Sequence, residues 1–218
     1  MSLPDFDATY RGTPLVDGAA TVPWNIGVPQ PPIAALIDGG RVAGPVLDAG
    51  CGVGVTTIEL ARRGVEAVGI DRSATAIAQA REAAAAAGVD AAFEVADISA
   101  FTRHDGRFAT VVDCTLFHSL PVELRPGYVA SIARAARPGA ALFVLAFDVS
   151  APFTPEMSPN CVTADELATA VEGAWAVESV VDSTIHVLEL PLAAEPPRDE
   201  QGRLVMPAHL LTAHRRPS

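Results

Sequence analysis

Short apolar runs alternate with amphipathic stretches through the first two thirds of the chain. The runs are "PVLDAG" (45–50), "EAVGID" (66–71), "AAFEVAD" (91–97), "FATVVDC" (108–114) and "AALFVLAF" (140–147), most of them closing on a polar or small residue. This pattern predicts strands of a parallel sheet, buried on both faces. Between them, "VTTIELARRG" (55–64), "SATAIAQAREAAAAAG" (73–88) and "RPGYVASIARAARPG" (125–139) carry helical spacing and stop at Gly or Pro-Gly. The alanine run 83–87 reads as helix interior, because alanine is the best helix former. Strand–helix alternation of this kind predicts a doubly wound α/β sheet.

After residue 150 the pattern changes. Thr163 and Glu166 stand at capping-box spacing and open a helix. "WAVESVVDSTIHVLEL" (175–190) and "HLLTAHRR" (209–216) then read as two strands, joined by the Pro-rich connection "PLAAEPPRDEQGR". Such a link predicts an antiparallel pair at a sheet edge, where Pro207 is tolerated. The first thirty or so residues show no periodicity and are read as a segment lying over the sheet.

Composition narrows the partners. The 218 residues hold fifteen Arg, no Lys and 26 acids, a formal net charge of −11. An acidic surface repels phosphodiester backbones, so no nucleic-acid partner is expected. Cys51, Cys114 and Cys161 are odd in number and lack a CxxC pair, which argues for a reducing cytoplasm and against a structural zinc; no metal is expected. We read neither a signal peptide nor a bilayer-length apolar run, and therefore expect a cytoplasmic protein without a membrane partner.

The chemistry concentrates at "VLDAGCGVG" (46–54). Ligands of such sheets sit at the carboxyl ends of the strands. Glycines at 50, 52 and 54 let the backbone approach a ligand and adopt positive φ. Asp71, seventeen residues beyond Gly54, ends the next strand where a carboxylate can accept from ribose hydroxyls. The dinucleotide fingerprint G-x-G-x-x-G fails in both registers, because residues 55 and 57 are Val and Thr.

The pattern apolar-apolar-Asp-x-Gly-x-Gly-x-Gly resembles the first motif of class I S-adenosylmethionine-dependent methyltransferases. The resemblance covers most of the chain and implies a Rossmann-like seven-stranded sheet of order 3-2-1-4-5-7-6, its last strand antiparallel, with helices on both faces. It implies S-adenosyl-L-methionine as cofactor, with Asp48, Gly50, Cys51 and Gly52 at the glycine turn and Asp71 and Arg72 at the ribose. Asp97 and Ile98 of "VADIS" match the adenine-binding stretch, and "DCTLFHSL", with Cys114 its second residue, matches the stretch that leaves the fourth strand beneath the methionine moiety. Cys51 and Cys114 are read as space-fillers rather than nucleophiles.

"PWNIGVPQP" (23–31) resembles the N-terminal segment of thiopurine, halide/thiol and tellurite-resistance methyltransferases, with Asn25 replacing their commoner Asp. That likeness makes Trp24 a wall for the sulfonium. Tyr10 and Arg11 would reach the methionine carboxylate. "CTLFHSLP" resembles actinobacterial heterocyclic-toxin methyltransferases. The implied reaction moves a methyl to O, S or N of a small aromatic or heterocyclic acceptor. The rivals are a non-catalytic cofactor-binding module and an NAD-linked reductase. His118 is the titratable group expected near the methyl, as general base or as positioning residue. Phe117, Phe147, Phe153 and Met157 would form the acceptor pocket. We expect one domain over 1–218: a lid (1–32), a cofactor-binding half (33–148) and a substrate-side half (149–218), as monomer or homodimer.

Overall fold

The computed structural model describes residues 5–15, 17–20, 22–155 and 157–217. Its centre is a seven-stranded sheet of order β3-β2-β1-β4-β5-β7-β6. The strands are β1 (Val46–Ala49), β2 (Ala67–Asp71), β3 (Ala92–Val95), β4 (Phe108–Cys114), β5 (Ala136–Phe147), β6 (Trp175–Val187) and β7 (Leu204–Arg215). The first five run parallel, and β7 pairs antiparallel with both β5 and β6. The helices are α1 (Phe6–Tyr10), α2 (Pro31–Asp38), α3 (Val55–Arg62), α4 (Ala74–Ala87), α5 (Arg125–Ala135) and α6 (Ala164–Val171). The expected class, strand order and antiparallel last strand are all present.

Strand β5 shows why the sheet must be covered twice. Leu142, Val144 and Ala146 face a core shared with Tyr128 and Ile132 of α5, Leu167 of α6 and Trp175. The alternate residues Phe143, Leu145 and Phe147 face another, with Ile33 and Ile37 of α2, Ile185 and Met206. From Ala140 to Phe147 β5 is apolar at every position, and with a period of two such a stretch needs cover on both sides. The alanine run lies inside α4, which Ser73 caps by accepting from Ala76 N–H.

Three boundaries differ from the sequence reading. Helix α2 was not foreseen, because its two prolines resemble loop composition; they occupy its first turn, where a missing N–H costs nothing. Strand β5 begins at Ala136, so "RPG" belongs to the strand rather than to the helix stop, and the β4–β5 register shifts between Phe108 and Thr110. Strand β7 begins at Leu204, which places Pro207 within it. The last β5 pair is Phe147 with Ala208, so Pro207 lies just past the end of that neighbour and no ladder bond to β5 is lost. Among the described residues, no helix is long and apolar enough to cross a membrane.

Candidate active site

The carboxyl ends of β1, β2 and β4 open on one cavity of about 530 Å³. At its base, Gly50 and Cys51 donate backbone N–H bonds to Ile70 O (2.8 and 3.0 Å), which fixes the turn against the end of β2. Gly50 and Gly52 take φ of +73° and +52°. A Cβ on Gly50 would stand 2.9 Å from Leu116, and one on Gly52 would stand 2.6 Å from the Tyr10 hydroxyl. These positions need glycine for both conformation and space.

Asp71 bridges two loops: its carboxylate accepts from Gly52 N–H (2.9 Å) and Ser73 N–H (2.8 Å). Burial raises its pKa, against the pull of those two donors. Asp48 is buried and accepts from the Thr57 hydroxyl (2.6 Å) and N–H (3.2 Å), pinning the start of α3; burial lifts its pKa to about 6. Asp97 accepts from Ser99 N–H and Oγ, in a turn that presents buried Ile98 to the cavity. Burial pushes the Cys51 and Cys114 thiols up, which suits filler rather than nucleophile.

The opposite side comes from distant segments. Trp24 donates from Nε1 to the Tyr10 hydroxyl (3.2 Å) and stands edge-on to Phe6 at 5.7 Å. Asn25 Oδ1 accepts from Gly27 N–H, keeping the turn expected of an aspartate there. Two residues that sequence reasoning missed hold this segment down. Asp7 accepts from Ser73 Oγ (2.6 Å) and Thr75 N–H (3.1 Å) at the start of α4. Buried Gln30 exchanges two bonds with the backbone of His186 on β6, at 2.7 and 2.8 Å. The glutamine was visible in the motif; its partner, 156 residues away, was not.

After β4 the chain turns sharply. Asp113 accepts from Leu116 N–H (2.9 Å), Phe117 N–H (3.2 Å) and the Tyr128 hydroxyl (2.6 Å), while burial lifts its pKa to about 7. Thr115 sits at φ +74°, a conformation that costs a β-branched residue about 1–3 kcal/mol. Its neighbours over-determine it: Thr115 N–H donates to Leu145 O and Ser119 Oγ donates to Thr115 O, both at 3.0 Å. The turn delivers His118 to the cavity, its ring 4.4 Å from that of Phe147, which in turn packs edge-on against Phe153 at 4.9 Å. His118 Nδ1 accepts from Phe147 N–H (3.0 Å). Burial, aided by Arg125, drops the imidazole pKa to about 3, far from the ordinary value on which a base role was expected to operate.

Tyr10, Trp24, Asp48, Gly50, Cys51, Gly52, Asp71, Arg72, Asp97, Ile98, Cys114, His118, Phe147, Phe153 and Met157 all line this cavity. Two expected residues do not. Arg11 is exposed and pairs with Asp7 and Asp5, facing away from the site. Phe117 is fully buried beneath α5, against Tyr128 and under the Arg125 guanidinium, because consecutive residues of the short 3₁₀ turn Phe117–Ser119 diverge, and His118 and Ser119 face the cavity while Phe117 does not.

Residues 46–139 match the model of a methyltransferase domain family. A 2-heptyl-1-hydroxyquinolin-4(1H)-one methyltransferase from Mycobacteroides abscessus is 45% identical over 219 residues, spanning 96% of each chain. The chain belongs to the S-adenosylmethionine-dependent methyltransferases. A solved structure from work on conversion of a disulfide bond into a thioacetal group during echinomycin biosynthesis superposes on this methyltransferase with TM-score 0.83 and 32% identity, covering 97% of this chain and 91% of that one. The Burkholderia thailandensis 1,6-didemethyltoxoflavin-N1-methyltransferase, solved with S-adenosylhomocysteine, shares the fold at TM-score 0.63 and 19% identity, over 86% and 77% of the chains. The cavity fits the cofactor. It has a glycine cradle that a side chain would fill, an acid at the end of β2, and carboxylates suited to a cation.

Proposed function

We propose that this methyltransferase transfers a methyl group to the hydroxyl oxygen of a compact aromatic heterocycle. One observation carries the reading. His118, Phe147, Phe153 and Met157 converge in the same cavity as the glycine turn and Asp71, so an apolar wall with a single imidazole faces the cofactor end. Flat aromatic molecules are held by such walls, and one polar group fixes their orientation. The near-full-length relative's hydroxyquinolone substrate supports the same class.

Asp71 would hold the ribose, Ile98 and Asp97 the adenine, and Trp24 with Tyr10 the methionine end, while Arg72 lines the ribose side. Bound there, S-adenosylmethionine would supply an electrophilic methyl carried on a positive sulfur. The protein's part is to align the acceptor within about 3 Å and exclude water. The N-terminal segment, bonded to α4 and β6, acts as the lid of a single domain. With a net charge of −11, we assign no nucleic-acid acceptor.

The test is turnover on a panel of hydroxyquinolones, N-hydroxy heterocycles, simple phenols and thiols, followed by mass spectrometry. Methylated hydroxyl products are expected from the fused heterocycles. Methylation confined to thiols would overturn the assignment.

A further inference from the structure

Phe147 N–H carries one hydrogen and directs it at His118 Nδ1, so Nδ1 must present its lone pair. In a neutral imidazole the proton then resides on Nε2. Nε2 bonds no described residue and remains reachable from the cavity that His118 lines. The backbone holding this arrangement is itself fixed: Asn160 N–H donates to His118 O at 2.9 Å, and Asn160 Nδ2 to Leu120 O at 3.0 Å.

We infer that His118 is a hydrogen-bond donor to the acceptor oxygen rather than its base, and that the enzyme selects acceptors whose hydroxyl is already ionised when it binds. This deepens the aromatic-hydroxyl reading above and rests on it. The hydroxyl proton leaves to solvent before binding. The oxyanion then accepts from Nε2–H, and during transfer its negative charge cancels the positive charge of the sulfonium, so no proton needs a destination inside the cavity. Acidic hydroxyls, such as N-hydroxyl or vinylogous-acid groups on a heterocycle, meet this condition near neutral pH; aliphatic alcohols do not.

The surroundings agree. The charged and titratable groups on neighbouring elements are Arg125 of α5, Glu123 at the cavity, Cys114 of β4, Cys161 before α6 and Asp148 after β5. Arg125 opposes imidazolium, both thiols are pushed up and stay neutral, and Asp148 is occupied by Ser150 and His209. None bonds His118 to favour its charged form.

Two measurements decide it. Nitrogen-15 spectra of histidine-labelled enzyme, with the His118 signal assigned by its loss in His118→Gln, should show Nε2 protonated and Nδ1 bare from pH 8 down to about 5, with S-adenosylhomocysteine present. The Nδ1–H tautomer, or an imidazolium in that range, overturns the inference even if no acceptor turns over. The second compares two acceptors whose hydroxyl pKa values differ by about two units. The wild-type kcat/KM should rise through each acceptor's own pKa, and the two midpoints should differ accordingly. His118→Gln, which keeps an N–H at similar reach but cannot take a proton, should stay within about tenfold of wild type. His118→Phe should lose about 10–100-fold, mainly in KM. One shared midpoint for both acceptors, with Gln as impaired as Phe by 10²–10⁴-fold in kcat, would make His118 the base. Turnover of no aromatic hydroxyl would instead sink the substrate reading and leave the tautomer result standing.

Discussion

On the glycine-turn side of the cavity, polar contacts are short in sequence. Ser73 reaches Asp71 across two residues, Thr57 reaches Asp48 across nine, and Gly52 reaches Asp71 across nineteen. On the facing side the corresponding separations are 29 for Phe147 with His118, 66 for Ser73 with Asp7, and 156 for His186 with Gln30. One wall is a property of a few loops next to their own strands; the other exists only once the sheet has assembled. The glycine-turn wall should therefore fail locally when altered. The facing wall should fail by coming loose.

The largest effect expected from this contrast is at Gly52. Gly52→Val combines a left-handed backbone with a Cβ placed against Tyr10, and should weaken S-adenosylhomocysteine binding by about 3 kcal/mol, roughly a hundredfold, in calorimetry. Near wild-type affinity would mean that the turn can move and is not a rigid cradle. Asp71→Ala should cost about 2 kcal/mol of cofactor affinity, part of it from releasing Gly52 N–H. The fold should stay intact by circular dichroism.

The third test concerns pH. His118 is neutral when folded down to about pH 3, whereas the unfolded imidazole takes a proton below about 6.5. Unfolded chains then bind the extra proton, so this group makes the protein less stable as pH falls from 6.5 toward 3. Urea unfolding should show the wild type losing about 2 kcal/mol more than His118→Gln between neutral pH and pH 5. Asp48 and Asp113, with raised folded pKa values, act in the opposite sense: their contribution is present at low pH and lost as pH rises through about 6 and 7. Being common to both proteins, they cancel in the difference. A pH-independent difference would mean that His118 is not buried neutral.

Smaller effects belong to the facing wall. Gln30→Ala leaves two His186 backbone groups unpaired and should cost about 1–2 kcal/mol of stability. It should also raise hydrogen exchange in the N-terminal segment while sparing the bonds of Asp71 to Gly52 and Ser73. The smallest is spectroscopic. Trp24 lines the cavity, whereas Trp175 is wholly buried under α6, so Trp24→Phe should abolish the ligand-induced fluorescence change and Trp175→Phe should not.

The same contrast explains what could be read from sequence. Asp71 and Gly52 could be placed at the cavity because strand ends and glycine spacing lie inside short windows, whereas Ile98 came with the family resemblance. Strand order came through family resemblance, since pairing between distant strands leaves no local mark. Arg11 was misplaced because its salt-bridge partners, Asp5 and Asp7, lie at the start of the short helix α1 that it ends, where it had no reason to turn inward. Phe117 and His118 are adjacent letters with opposite destinations, and only the packing of α5 decides which goes where. Asp7 and α2 were missed for a related reason: one carboxylate and two prolines in a segment without periodicity look like loop until the sheet gives them a surface.

Thr115 carries the consequence that reaches furthest. Its strained backbone is energy held back from stability at the point where the chain bends His118 into the cavity. Glycine there would relax the bend and free the loop to wander, so the fold can be hardened against heat at this residue only by blunting its aim. Selection for heat resistance and selection for turnover pull in opposite directions at this one position.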